Sequence, residues 1–421
     1  MDVESVSGLL SSAEKFTFDN DRIKFKPYFE VAEKYCAENN IIIGGSVGID
    51  LLLGRSMTKD SWSWDLYCPN AFENAKELIT AMYATKINHV DSRTLTLQTN
   101  IKHREFTILA DARFLFKIYS LEMYRGVVLA EVMNPTICTG WFGSQVKVFP
   151  PEIVLIGIYQ NLYSPAKFRL WEGLLANEEL LFRKYRDALY SAGKSDVVGN
   201  FDKSVADDIL LRSLLKDSRI ALIGDYAMSK LGISGGSRIQ ILTDIPLSEL
   251  AQMTTRVLSH EKNQLRRMKV SHVRCSYAYF NLNVPSDFQI TKHTVYAVLD
   301  NDQIPLYDVF NSPEYEMIPF KVVDKIQVAA PYVLLRFIFI DIWILRLIIG
   351  ISGSNLQTRI NGLIRLAVSL RDYISAQMSA DPFSVFPRDN YIGVNMSETV
   401  AKKKLIANIG YRLPNYYPAL N

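Results

Sequence analysis

Twice along this chain a short apolar run ends in glycine and gives way to a helical pattern. Ile41-Ile42-Ile43 leads into Gly44-Gly45-Ser46, and Val47 to Leu53 continues as a helix. Residues 219–224 lead in the same way into a glycine turn and the helix-like stretch Ala227 to Gly232. Each turn is followed by a second strand, at 62–68 and at 238–242, and then by a helix. In the first passage that helix carries Phe72, Ala75, Leu78, Ile79 and Met82 at helical spacing, and Asn70 with Glu73 resembles a capping box. In the second it covers 246–258. Further strands are expected at 94–98, 105–111 and 114–120, and again at 270–281 and 294–299. The step from glycine turn to second strand is shorter in the second passage. A recurring order of elements implies an internal structural duplication, hence two similar α+β units.

The length agrees with this. At about 150 residues per domain, 421 residues make two large domains or three small ones. We read a first domain over 1–190 with its following helices, a small polar linker at 191–208, and a second domain over 209–421. Residues 22–40, 150–163 and 168–190 read as helices, 328–375 as a C-terminal helical segment, and 382–421 as loop-rich. With 48% hydrophobic and 22% charged residues, the composition excludes a largely disordered chain. The net charge of +3 means that nucleic-acid binding must come from a local patch. Four dispersed cysteines without a CxxC pair argue against a disulfide framework or a cysteine zinc site, and fit a reducing compartment. The first residues lack the basic and apolar regions of a signal peptide. Residues 328–350 are apolar, but Arg336, Asp341 and Arg346 spread around the helix, so we expect a buried core helix with paired or cleft-facing charges and no membrane span.

Three features of the first passage can carry chemistry: Gly44-Gly45-Ser46 at a strand-to-helix turn, Asp65 late in the next strand, and Asp111 at the end of a later one. The glycines let backbone approach a phosphate, and the helix N-terminus with Ser46 supplies donors. Carboxylates on adjacent strands can hold divalent cations, which clamp a nucleoside triphosphate and activate a 3′-hydroxyl.

The segments "IIIGGSVGIDLLL", "SWDLYCPNAFENAKEL" and "REFTILADARFLFKIYSL" resemble the nucleotidyltransferase domain of the poly(A) polymerases of large nucleocytoplasmic DNA viruses, giant-virus and poxvirus-like. Residues 150–182, 329–348 and 390–418 are similar to later parts of the same family, in order. The resemblance implies two nucleotidyltransferase-like units, each a mixed sheet with helices, the second degenerate, with Gln240 near the place of Asp65. It implies template-independent addition of adenylates from ATP to an mRNA 3′ end. Asp65 and Asp111 would be the catalytic, metal-holding pair for Mg2+ or Mn2+. Gly44, Gly45, Ser46, Tyr163, Ser164 and Lys167 would contact the nucleotide. The implied partners are an RNA 3′ end and either a second copy or a separate processivity subunit. The implied location is the viral factory in the host cytoplasm, or the virion.

One position departs from the family pattern. Its second strand carries two aspartates two residues apart, facing one side. Asp65 fits the second, but the first position holds Ser63. Two readings follow: an enzyme with a modified site, or a catalytically degenerate RNA-binding or scaffolding subunit. Neither Asp50 nor Asp60 is an obvious substitute. Basic residues that could meet phosphate are Arg55 and Lys59, Lys102 to Arg104, Arg183 to Arg186, and the densest run, Lys402-Lys403-Lys404. The five histidines show no metal spacing.

Overall fold

Alternation in Trp64-Asp65-Leu66-Tyr67-Cys68 sends Trp64 and Leu66 to one face of a strand and Asp65 and Tyr67 to the other. In the computed structural model the Trp64 face is the core: α1 (Val3–Glu38) lays Phe29 on Trp64 and Phe116, with ring centroids 5.6 and 5.5 Å apart. The structure describes residues 3–59, 61–85, 94–100, 105–121, 123–124, 127–128, 135–163, 171–191, 213–233, 238–260, 269–279, 290–299, 302–311, 318–352 and 357–380.

The chain divides into two units, residues 1–154 and 155–421. The first contains α1, β1 (Ile42–Gly44), α2 (Gly45–Leu53), β2 (Trp64–Cys68), α3 (Ala71–Ala84), β3 (Thr96–Asn100), β4 (Glu105–Ala110) and β5 (Arg113–Ser120). The short pair β6 (Met123–Tyr124) and β7 (Val127–Val128) follows, then β8 (Thr136–Thr139) and β9 (Gln145–Val148). Helices α4 (Pro151–Tyr163) and α5 (Trp171–Ser191) come next; from residue 155 on they group with the second unit, whereas the sequence attaches them to the first. Beyond Ser191 the expected linker lies outside the described residues. The second unit continues with β10 (Ile220–Ile223), α6 (Gly224–Lys230), β11 (Gln240–Thr243), α7 (Leu247–His260), β12 (Lys269–Tyr279), β13 (Ile290–Leu299), β14 (Asp302–Asn311), β15 (Phe320–Val323), β16 (Ile326–Ala329), α8 (Pro331–Ser352) and α9 (Gln357–Ala380).

The first unit's seven-stranded sheet has the order β3-β4-β5-β2-β1-β9-β8, and the second unit's has β12-β13-β14-β11-β10-β16-β15. Each strand of one has a counterpart in the other, and the directions agree throughout. In both, the two central pairs flanking the second strand are antiparallel on one side (β1–β2, β10–β11) and parallel on the other (β2–β5, β11–β14). The duplication suggested by the recurring glycine turns is therefore a duplication of topology.

Local details follow from side-chain chemistry. The Asn70–Glu73 capping box does not form: Asn70 makes no side-chain cap and Glu73 takes Lys76 at 2.9 Å. Glu33 is buried on α1 because its carboxylate accepts the backbone N–H groups of Phe142 and Ser144 at about 3 Å, which fixes the β8–β9 turn. Cys36 and Cys68 are buried thiols, and burial pushes the Cys68 thiol up to about 12. In α8, Arg336 and Asp341 are both buried, as expected for a core helix. Among the described residues no helix is long and apolar enough to cross a membrane.

Candidate functional site

The apolar strand β1 ends at Gly44, whose neighbours leave no room for a side chain: a Cβ would press on Tyr67 and Phe149. Gly45 follows at φ +60°, and a Cβ there would overlap Asp65 Oδ2. Glycine is required at Gly44 by the aromatic rings against it and at Gly45 by the left-handed backbone and the approach of the carboxylate. The turn opens α2, with Gly45 and Ser46 exposed at its N-terminus. Antiparallel pairing sets Gly44 opposite Asp65. The structure thus brings together the glycine turn, Ser46 and Asp65, as expected from their order along the chain.

Asp111 does not join them. It sits in the two-residue turn between β4 and β5, with Asp111 at φ +48° and Ala112 at φ +59°, the left-handed pair that tight hairpins use. Its carboxylate accepts from Lys24 of α1 at 2.5 Å, and this bond, with help from Thr94, holds it below the usual carboxylate range. The strand position beside Asp65 belongs instead to β5, which runs parallel to β2 and places Lys117 in register with Asp65. From Lys117 back to the hairpin end is about four residues, or roughly 13 Å of strand. The expected pair of carboxylates is therefore a carboxylate and an ammonium. Lys117 is absent from the sequence-derived candidates, although a lysine inside Phe114-Leu115-Phe116-Lys117-Ile118-Tyr119 is conspicuous among apolar neighbours.

Asp65, Lys117 and Tyr119 are half-buried on one face of the sheet, with Glu105 two residues farther along β4. Burial pushes the Asp65 carboxyl up to about 6; Lys117 pulls it back, Glu105 adds to the rise, and a hydrogen bond from Tyr119 opposes it. Because the folded value lies above the unfolded one, near 3.9, the stability tied to Asp65 is complete below about pH 4 and is lost as pH rises through about 6. Asp65→Asn is therefore expected to raise the melting temperature at pH 7.5 and to lose most of that gain by pH 4. Thermal melts at the two pH values check this; an equal difference at both would refute it. Such a cost at a solvent-reaching position is what a functional carboxylate carries.

Ser63 Oγ is buried with no hydrogen-bond partner among the described residues. Asp50 is engaged elsewhere: it accepts from Thr58 at 3.1 Å and pairs with Arg55 at 3.6 Å. The side chain of Tyr163, and Asp60, Lys102 to Arg104, Ser164, Lys167 and Lys402 to Lys404, lie outside the described residues.

The second unit repeats the geometry with different chemistry. Gly224, at φ +69°, again leaves no space for a Cβ, here because of Gln240. Gln240 pairs with Ile223 as Asp65 pairs with Gly44, so it occupies the place of Asp65. In register on the parallel neighbour stands Asp308, the counterpart of Lys117. Asp308 accepts from Thr294 at 2.7 Å and pairs with Arg238 at 2.5 Å and Lys292 at 3.6 Å. Lys292 also pairs with Asp341 of α8, which Gln240 reaches at 3.2 Å and Arg359 at 3.4 Å. Burial pushes Asp341 up, but Lys292, Arg359 and Arg238 together hold it well below the carboxylate range. Asp308 is held low in the same way. Asp308, Asp341, Lys292 and Gln240 are all buried, and α8 covers this face with Phe337 against Phe310 at 5.3 Å.

Two such sheets, each with a glycine turn facing its second strand, make a two-unit α+β fold like that of a solved polyadenylate synthase. Among solved structures, the chain resembles the crystal structure of the Megavirus polyadenylate synthase, with a TM-score of 0.65, 13% identity, and coverage of 96% of this chain and 83% of that one. In sequence it is 22% identical to an uncharacterised protein of African swine fever virus, from a tick isolate from Malawi, over 98% of this chain and 97% of the relative. The corresponding protein of the Pretoriuskop isolate from South Africa matches at 22% over the same shares. No family model matches the chain.

The fold family implies divalent cations, and the donor set can be tested for them. The first unit offers Asp65, with Ser63 two residues earlier, an ammonium in register on the adjacent strand, and Glu105 one strand farther away. The second offers Asp308 and Asp341 already neutralised by Lys292, Arg238 and Arg359. Among the described residues no group of three or more His, Cys, Asp or Glu side chains converges as a metal site. These residues do not fit a two-cation centre.

Proposed function

We propose that this chain is a non-catalytic nucleotide- and RNA-binding subunit of viral RNA 3′-end polyadenylation, keeping the scaffold of a poly(A) polymerase without its turnover. The observation that carries this is the register of Lys117 beside Asp65, with Ser63 two residues earlier. Phosphoryl transfer needs charge neutralised on both the attacking and the leaving oxygen, and this carboxylate set cannot gather it. The likeness of fold to a polyadenylate synthase supports the choice of process. The partners follow from the same reading: an RNA 3′ end, ATP, and a second polymerase-like chain or a processivity subunit. The setting is the viral factory or the virion.

A second reading, an adenylyltransferase with a modified site, is favoured by the intact glycine turn and by the half-buried Asp65 beside it. A tailing assay separates the two. The full chain is incubated with labelled ATP, oligo(A) and Mg2+ or Mn2+, while RNA binding is followed by fluorescence anisotropy. The expected result is bound RNA and no extension above that of Asp65→Ala. Extension by wild type that Asp65→Ala abolishes would establish the second reading and overturn the first.

A further inference from the structure

The two sites, laid over each other by strand register, differ at matched positions in an ordered way. Asp65 corresponds to Gln240, Lys117 to Asp308, and Thr107 to Thr294. Two residues along the same strands, Glu105 corresponds to Lys292. Acid and base have changed places at two positions of one face, yet each unit retains a lysine set against two carboxylates. In the second unit these contacts are direct, from Lys292 to Asp341 and Asp308. In the first, Lys117 lies in register with Asp65, and Glu105 bears on the same carboxylate.

We propose that in each unit a lysine ammonium has replaced the divalent cation, sealing the second site as a structural core and leaving the first as a metal-independent site for the polyphosphate of a nucleotide. The charges balance without metal in the second unit: Asp225, Asp308 and Asp341 face Lys292, Arg238 and Arg359. Asp308, Asp341 and Lys292 are buried there, with Asp225, Arg238 and Arg359 partly exposed around them. In the first unit Asp65 and Lys117 are only half-buried, and the exposed start of α2 adjoins them. A phosphate held by the N–H groups of that turn would lie beside Asp65, within the electrostatic reach of Lys117 on the neighbouring strand. An ammonium bridges two anions as a cation does, but its single charge does not activate a hydroxyl as a metal would. Binding persists while turnover does not, which ties this inference to the nucleotide-binding reading above.

The test uses the full chain and two probes. The first is Mn2+ alone, read by thermal shift. Wild type is expected not to move, whereas Ser63→Asp/Lys117→Asp, which restores the acidic set, is expected to gain Mn2+-dependent stabilisation. The second is ATP titration in EDTA and in Mg2+. Wild type is expected to bind equally in both, Lys117→Ala to bind about tenfold more weakly in EDTA, and Lys117→Arg to stay close to wild type. Stabilisation of wild type by Mn2+, or ATP binding that requires Mg2+, overturns the inference while leaving nucleotide binding intact. Lys117→Ala binding ATP as wild type does also overturns it. ATP binding in neither buffer removes the nucleotide-binding reading, and the first-unit claim with it.

Discussion

Lys292→Met is expected to lower the unfolding free energy by about 3–5 kcal/mol, because it strands carboxylates that nothing else in the second unit can fully neutralise. Lys292, Asp308 and Asp341 are all buried, and methionine fills a similar volume, so packing changes little and charge changes by one full unit. Arg238 and Arg359 remain beside Asp308 and Asp341, but they already pair there and cannot reach the vacated position without giving up present bonds. Removing the partner as well reverses most of the loss: Lys292→Met/Asp341→Leu is expected to recover at least half of it, since a buried ion pair is costly to break and cheap to replace by apolar side chains. The acid response follows from the same groups. Asp308 and Asp341 titrate below their unfolded values, so their stabilisation is present above about pH 4 and is lost as pH falls through their lower folded values. Urea titrations at pH 7 and pH 4 measure both effects. An unchanged midpoint for Lys292→Met at pH 7 would show that the network carries no net stability.

Arg371→Met is expected to be as damaging at neutral pH and much less so in acid. Glu178 is fully buried in α5, its two oxygens held by Arg371 Nε of α9 at 2.8 and 2.9 Å, and Tyr159 of α4 donates to it at 2.9 Å. Burial already raises the Glu178 carboxyl above its ordinary value, and Arg371 is the main force opposing that rise. Without the guanidinium the carboxylate is buried with only the tyrosine for company, at a cost of about 3–5 kcal/mol. The sign of the pH effect is fixed by the raised folded value: the unfavourable contribution vanishes below the unfolded pKa, near 4.3, and grows as pH rises through the folded one. Melts of wild type and variant at pH 7.5 and pH 5 therefore converge at the lower pH. Parallel curves would mean that the arginine acts through packing alone. Glu178 thus links α4, α5 and α9 at one buried polar point.

The two networks separate structural charge from candidate functional charge. Lys292 and Arg371 each neutralise a buried carboxylate, and their substitution is expected to be felt as lost stability. Asp65 is half-open, pushed up to about 6, and its substitution is expected to be felt as gained stability near neutral pH. That opposition in sign is the physical argument for placing function in the first unit and architecture in the second.

Several elements are legible in the sequence because their determinants are local. The glycine turns are visible since no other residue tolerates their backbone and crowding, and the helical readings at 72–82 and 246–258 lie close to the helices found. Other elements are not. Pro305 argues against a strand at 302–311. Those residues form β14 regardless: Pro305 sits beside a register shift against β13, and β11 pairs only from Asp308 onward. The Tyr307-Asp308-Val309-Phe310 pattern matches Trp64-Asp65-Leu66-Tyr67, a signal that the sequence does carry. The helix expected from residue 22 begins earlier in the structure, at Val3.

The sequence by itself determined that two similar units exist, where each glycine turn lies, and that Asp65 faces one of them. Those features rest on short-range sterics and on the period of side chains along a single strand. Which residue stands next to Asp65 was decided only by the tertiary structure. A parallel neighbour is brought in across a long connection, and its register depends on the packing of a whole sheet face. Lys117 came to that position and Asp111 went to a hairpin tip, because lateral pairing between distant strands is not written in the spacing of either one.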